Sequence, residues 1–182
     1  MDVTEKAILH IVKKSPDQTL QGRTLLQKAI YFLNVILDLG IEYRPHYFGP
    51  FSEDVATTTA SLVARGALRE IVECLPTMDD QFDACRYTYK LTELGDLMLE
   101  QEPHSPMEAV CTDILGATPD YMELAAAAKL HHIVLRHGGG LSYDVIMSKA
   151  RELGWKLDRV QVENAARLLV RLLGAEVRKT TT

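Results

Sequence analysis

Between Gly22 and Gly66 the chain carries two helical patterns separated by one sharp turn, and few folds accommodate that arrangement. Gly22-Arg23-Thr24-Leu25-Leu26-Gln27-Lys28 opens an apolar pattern that ends near Asp38. Tyr47-Phe48-Gly49-Pro50-Phe51-Ser52 interrupts it, and a second pattern runs from Glu53 to Arg65. A third helix precedes both, over residues 2–14, where Val3, Ala7, Ile8, Ile11 and Val12 recur at helical spacing. Three helices with a Gly-Pro turn between the last two make a helix-turn-helix core.

The punctuation supports this division. Pro16 disfavours the α conformation at Ser15 and ends the first helix. Thr24 is the expected cap of the second helix, and Ser52 of the third. Glu53 and Asp54 suit the positive end of the third helix dipole. In the second helix Leu25, Leu26, Ala29, Ile30, Leu33, Ile36 and Leu37 form a wide apolar stripe. Gln27, Lys28, Tyr31, Asn34 and Asp38 are expected to face outward.

After Gly66 the period changes to two. Ala67 to Cys74 and Arg86 to Leu91 read as two short strands around a polar loop at 76–81. Thr92 is expected to cap a further helix through the N–H of Gly95. Helix, helix, helix and hairpin is the winged form of helix-turn-helix. Pro103-His104-Ser105-Pro106 is the best candidate boundary, and beyond it four helices are expected, at about 106–115, 119–137, 142–153 and 158–173.

The fold class is therefore mostly α. A winged-helix-like N-terminal unit (1–102) with a two-stranded hairpin precedes a helical C-terminal unit (103–182). Leu62-Val63-Ala64-Arg65-Gly66-Ala67 is echoed by Leu169-Val170-Arg171-Leu172-Leu173-Gly174-Ala175, so the second unit also reads as a degenerate winged helix closed by a strand near 176–179.

The net charge of −5 hides an asymmetry. Residues 1–128 hold 10 Lys+Arg and 20 Asp+Glu, a balance of −10; residues 129–182 hold 10 and 5, a balance of +5. Such a split fits a polyanion-binding end, the self-complementary packing of a homodimer, or two solvated surfaces that merely differ. Three cysteines, Cys74, Cys85 and Cys111, without a CxxC pair point to a reducing compartment, with Cys74 and Cys85 as neighbouring reduced thiols across the hairpin. The start lacks a secretory pattern and no apolar run has the length of a membrane span. The expectation is a cytoplasmic protein without membrane contact.

The chain resembles the YwgA-like family of bacterial and archaeal proteins and is similar to the related Panacea (SocA-like) antitoxin domain. The matching residues are Gly22-Arg23-Thr24, Leu26-Gln27-Lys28, Tyr47-x-Gly49-Pro50, Ser52, Leu62-Val63, Gly66, and Tyr89-Lys90-Leu91-Thr92 with Gly95. A softer match covers Ala126 to Trp155, including Leu141-Ser142-Tyr143 and Gly154-Trp155. The resemblance implies a mostly helical, winged-helix-like fold and a non-enzymatic, regulatory or toxin-neutralising role. It carries over no catalytic residues.

The residues themselves agree in lacking a catalytic signature. There is no HExxH, no Cys/His cluster and no GxSxG, so no catalytic residue, metal or cofactor is expected. Arg23, Gln27, Lys28 and Tyr31, with Tyr47, read as a polar pocket for a peptide or small anion, or as a solvated helix edge. Thr57, Thr58 and Ser61 add a hydroxyl-rich face to the third helix. A protein partner is expected on this acidic unit. DNA is the alternative. The third helix carries Glu53 and Asp54 at its leading end and only Arg65 behind, and Asp79, Asp80 and Asp83 add repulsion. Any nucleic-acid contact is therefore expected at Lys156, Arg159, Arg167 and Arg171, with Arg178 and Lys179 beyond.

Overall fold

The computed structural model describes residues 1–75, 84–101, 106–118 and 120–174. Its first helix, α1, spans Val3–Lys14. Asp2 and Glu5 close a capping box, with Glu5 N–H donating to Asp2 Oδ1 at 2.8 Å and Asp2 N–H to Glu5 Oε2 at 3.0 Å. Ala7, Ile8, Ile11 and Val12 are buried as their spacing dictates.

A 3-10 turn at Pro16–Gln18 leads into a short strand, β1 (Thr19–Gln21). Helix α2 (Arg23–Leu37) follows directly. Its N-cap is Gly22, without a side-chain bond, rather than the expected Thr24. The chain leaves β1 at Gln21 and must turn within one residue, so the helix begins before Thr24 is reached. A hairpin then forms from β2 (Arg44–His46) and β3 (Gly49–Phe51), with Tyr47 and Phe48 as its two-residue turn.

Helix α3 (Glu53–Ala64) is capped by Ser52, whose Oγ accepts Val55 N–H at 3.3 Å. The wing is β4 (Leu68–Leu75) and β5 (Ala84–Leu91), antiparallel with Cys74 opposite Cys85. Strand β1 pairs with the free edge of β5, giving the antiparallel order β1-β5-β4. With the separate β2–β3 hairpin set aside, the order helix, strand, helix, helix, strand, strand in this pairing is that of a winged helix. Helix α4 (Glu93–Glu100) begins at its expected cap, Thr92, which accepts Gly95 N–H at 3.1 Å.

Four helices follow: α5 (Met107–Ala117), α6 (Tyr121–His137), α7 (Tyr143–Glu152) and α8 (Arg159–Leu173). All fall where the apolar pattern puts them. The expected boundary at 102–105 lies outside the described residues, as do the expected strand at 176–179 and the loop at 76–81. The described residues on either side of that boundary share one hydrophobic core, from Ala7 to Leu169. Helix α5 packs on α1 and α2, while α6 packs on α2, β3 and α8. The buried run Ala125 to Ala128 lets α6 approach α2 closely.

The cysteines differ from expectation. Cys74 and Cys85 form a disulfide, and Cys111 is the free buried thiol. Direct pairing in register brings their Cα atoms to 4.0 Å, close enough for the bond to form. Among the described residues no helix is long and apolar enough to cross a membrane.

Candidate functional site

The β2–β3 hairpin and Ser52 just after it are bonded by residues from two distant parts of the chain. Gln27 on α2 donates its Nε2–H to Ser52 O at 3.0 Å and accepts Ser52 N–H at 3.0 Å. Lys28 donates from Nζ to Pro50 O at 2.5 Å. Trp155, in the α7–α8 connection, donates from Nε1 to His46 O at 2.6 Å. Two parts of the chain distant in sequence, α2 and the α7–α8 connection, therefore hold the eight-residue hairpin in one position.

Gly49 makes this possible at the closest point. Its φ of +103° is one that L side chains rarely adopt, and a Cβ there would meet Lys129 Cγ at 3.1 Å and Lys28 Cε at 3.2 Å. Tyr31 shares a 2.7 Å hydrogen bond with His131 on α6 and stacks edge-on against Tyr43. His132, next in sequence, faces the other way and meets Trp155 edge-on.

The expectation that Gln27, Lys28 and Tyr31 face outward is thereby corrected. Lys28 is only 2% exposed, and the other two are buried as well. The hairpin and α6 cover the face of α2 that carries them, and each finds a partner inside the protein. Burial costs the charged form of Lys28, and Lys129 adds repulsion, so its ammonium pKa falls to about 7. Desolvation also lowers His131 and raises the Tyr31 and Tyr43 hydroxyls.

What the hairpin presents to solvent is aromatic. Tyr47 is 66% and Phe48 56% exposed, and their rings meet edge-on at 4.9 Å. Beside them lies a cavity of about 500 Å³ between the start of α2, the hairpin, β5 and the start of α6. Phe48, Tyr87 and Tyr121 form much of its wall. Arg23, Lys28 and Arg86 line it too, and its described lining carries no carboxylate. The Arg23 guanidinium lies 3.5 Å over the Tyr87 ring, with Nε bonded to Tyr89 Oη at 3.2 Å and Nη2 paired with Glu70 at 3.3 Å. Glu70 lies outside the lining.

So of the five residues read as one pocket, Arg23, Gln27 and Lys28 do meet at a cavity, while Tyr31 is sealed behind it and Tyr47 stands at the hairpin tip. Phe48, Arg86, Tyr87, Tyr121 and Trp155 are not among the residues that the sequence assigned to a site. The signal for Phe48 was its place in the turn beside Tyr47; Trp155 is the single tryptophan of the chain.

The face of α3 is plainer. Thr57 and Ser61 are exposed and Thr58 half-buried. The Thr57 hydroxyl donates back to Glu53 O at 2.9 Å. Arg65 pairs with Glu5 on α1. On α8, Glu163 takes Arg159 at 3.2 Å and Arg167 at 3.9 Å, both arginines remaining largely exposed. Lys156 and Arg171 are exposed without an ion pair among the described residues. Asp79, Asp80, Asp83, Arg178 and Lys179 lie outside the described residues. No group of His, Cys, Asp or Glu suited to a metal occurs among the described residues. No protein-family model matches the chain, and no curated protein matches it.

Proposed function

We propose that this chain is a non-enzymatic regulatory binding module whose partner is another protein, in the antitoxin-like manner implied by the YwgA-like and Panacea resemblance. The observation that carries the reading is the exposed Tyr47–Phe48 pair on a hairpin tied down at His46, Pro50 and Ser52. Aromatic side chains anchor protein interfaces, and anchors already held in place lose little freedom on binding. The non-enzymatic part is supported by Gln27 and Lys28, whose polar groups bond the protein's own backbone. The opposite charge of residues 1–128 and 129–182 supports pairing of two copies within the same reading.

The test is affinity capture from native lysate with a nuclease-treated control, followed by mass spectrometry. The same protein should be retained with and without nuclease and lost with Tyr47→Ala. Retention that Tyr47→Ala leaves untouched, or that nuclease abolishes, overturns the reading.

A second reading, a winged-helix DNA-binding transcriptional regulator, draws on the topology and on the exposed cations of α8 and its approach: Lys156, Arg159, Arg167 and Arg171. Glu53 and Asp54 at the leading end of α3 set the usual groove-entering helix against a polyanion.

A further inference from the structure

The cavity beside the hairpin combines features that select one class of small ligand. Its volume of about 500 Å³ is that of a site for a drug-sized molecule. Its walls are largely apolar, with Phe48, Tyr87 and Tyr121 among them. Among the described residues its ionisable lining side chains of definite charge are Arg23, Lys28 and Arg86, all basic, although the first 128 residues of the chain sum to −10. A cluster of cations in so acidic a surrounding is contrary to composition and needs a chemical reason.

The three cations are not equivalent. Arg23 is fixed over Tyr87 and already paired with Glu70. Lys28 is almost wholly buried, and Pro50 O is its hydrogen-bond acceptor among the described residues. In its ammonium form, which burial and Lys129 restrict to pH below about 7 and which an entering anion favours, Lys28 has three donors and keeps capacity for a further acceptor. Arg86 is exposed and makes no ion pair among the described residues. An anion entering between Arg86 and Lys28 therefore meets donors that the fold has left available, in a site already partly dry, where such hydrogen bonds are strong.

We propose that this cavity binds a carboxylate attached to an aromatic or aliphatic group, the acid end lying toward Lys28 and Arg86 and the apolar end against Phe48 and Tyr121. The carboxylate belongs either to a free small acid or to the C-terminal residue of a peptide. The inference goes beyond the protein-partner reading and does not rest on it. Tyr47, on which that reading is tested, is not part of the cavity wall.

Titration calorimetry on the full chain tests it, with four probes: 3-phenylpropionate, its neutral amide, an acetylated dipeptide ending in phenylalanine, and the same dipeptide amidated. The expected result is saturable binding of at least one acid, with its amide at least about tenfold weaker, the size of one lost charge-assisted contact. Arg86→Ala should weaken the acid by about the same factor. Arg86 is exposed, so that variant retains its circular dichroism, which is checked first. Binding of the propionate alone identifies a small acid; binding of the dipeptide acid identifies a chain end. Failure of both acids to bind, equal binding of an amide, or indifference to Arg86→Ala each overturns the proposal.

Discussion

Gln27 and Ser52 are joined by a closed ring of two hydrogen bonds, each 3.0 Å long, between one side-chain amide and both backbone groups of one residue. The pair lies inside the protein, so neither backbone group has water to fall back on. Replacing Gln27 by Ala leaves the buried Ser52 N–H unpaired, while Ser52 O keeps the Ala56 N–H at 3.2 Å. The expected loss of stability is about 1–3 kcal/mol, read from urea midpoints. Gln27→Glu keeps one acceptor and no donor at neutral pH, and should also destabilise, less at acid pH where its carboxyl regains a proton. A change within about 0.5 kcal/mol for Gln27→Ala would contradict this account.

Lys28 makes stability depend on pH in a defined window. Its pKa drops from 10.5 unfolded to about 7 folded, because burial and Lys129 penalise the charge. Between those values the unfolded chain binds more protons than the folded one, so stability rises as pH rises from about 7 toward 10.5 and is lost again as pH falls to 7. Lys28→Met should flatten that rise. Above pH 10 Tyr31 and Tyr43, held protonated by burial, reverse the slope, so urea titrations from pH 7 to 9.5 give the cleanest comparison.

Two glycines should respond oppositely to alanine. A Cβ at Gly95 would lie 2.3 Å from Ala67 O and 2.8 Å from Leu91 Cδ1. The first of these is backbone, which cannot swing aside, so Gly95→Ala should cost about 1–3 kcal/mol or more. Gly116 is an exposed residue of α5 whose Cβ would meet nothing within 4 Å. Gly116→Ala should stabilise by roughly 0.5–1 kcal/mol. Thermal denaturation separates the two by sign alone.

Much of the fold was legible because its signals are local. Ser52 and Thr92 cap helices through groups three residues away, so sequence alone exposed them. Gln27, Lys28 and Tyr31 misled for the converse reason. They satisfy the pattern of a polar helix edge, and what covers them is a hairpin more than twenty residues on and a helix a hundred residues on. Strand β1 was invisible because three residues carry no period; pairing with β5 makes it a strand. The disulfide was discounted on the odd number of cysteines, which says nothing about the register that sets Cys74 opposite Cys85.

Reduction of that bond should loosen the wing. It closes a loop between residues 11 apart, for which the chain-entropy account gives about 3 kcal/mol. The urea midpoint should fall on adding a thiol reductant and match that of the Cys74→Ser/Cys85→Ser double variant. An unchanged midpoint would mean that the strands hold their register unaided.

If nucleic acid binds, α8 and not α3 should govern it. Arg167→Glu with Arg171→Glu should weaken binding and lower the salt slope by roughly 2, one per lost phosphate contact. Glu53→Gln with Asp54→Asn should leave the slope unchanged. Loss of sequence-specific binding on replacing Thr57, Thr58 or Ser61, with the arginine changes neutral, would establish the opposite assignment.

The bond from Trp155 to His46 spans 109 positions, and that from Tyr31 to His131 spans 100. A ribosome adding about 5–20 residues per second needs several seconds to make such a stretch. Throughout that interval α2 and the hairpin have been made, but the helix that covers them has not. The nascent chain thus carries Tyr31 and Phe32 without the His131 that meets both rings, and Lys28 without the neighbouring Lys129 charge. For this molecule, the order in which the ends are made is a property of the fold as much as the arrangement they reach.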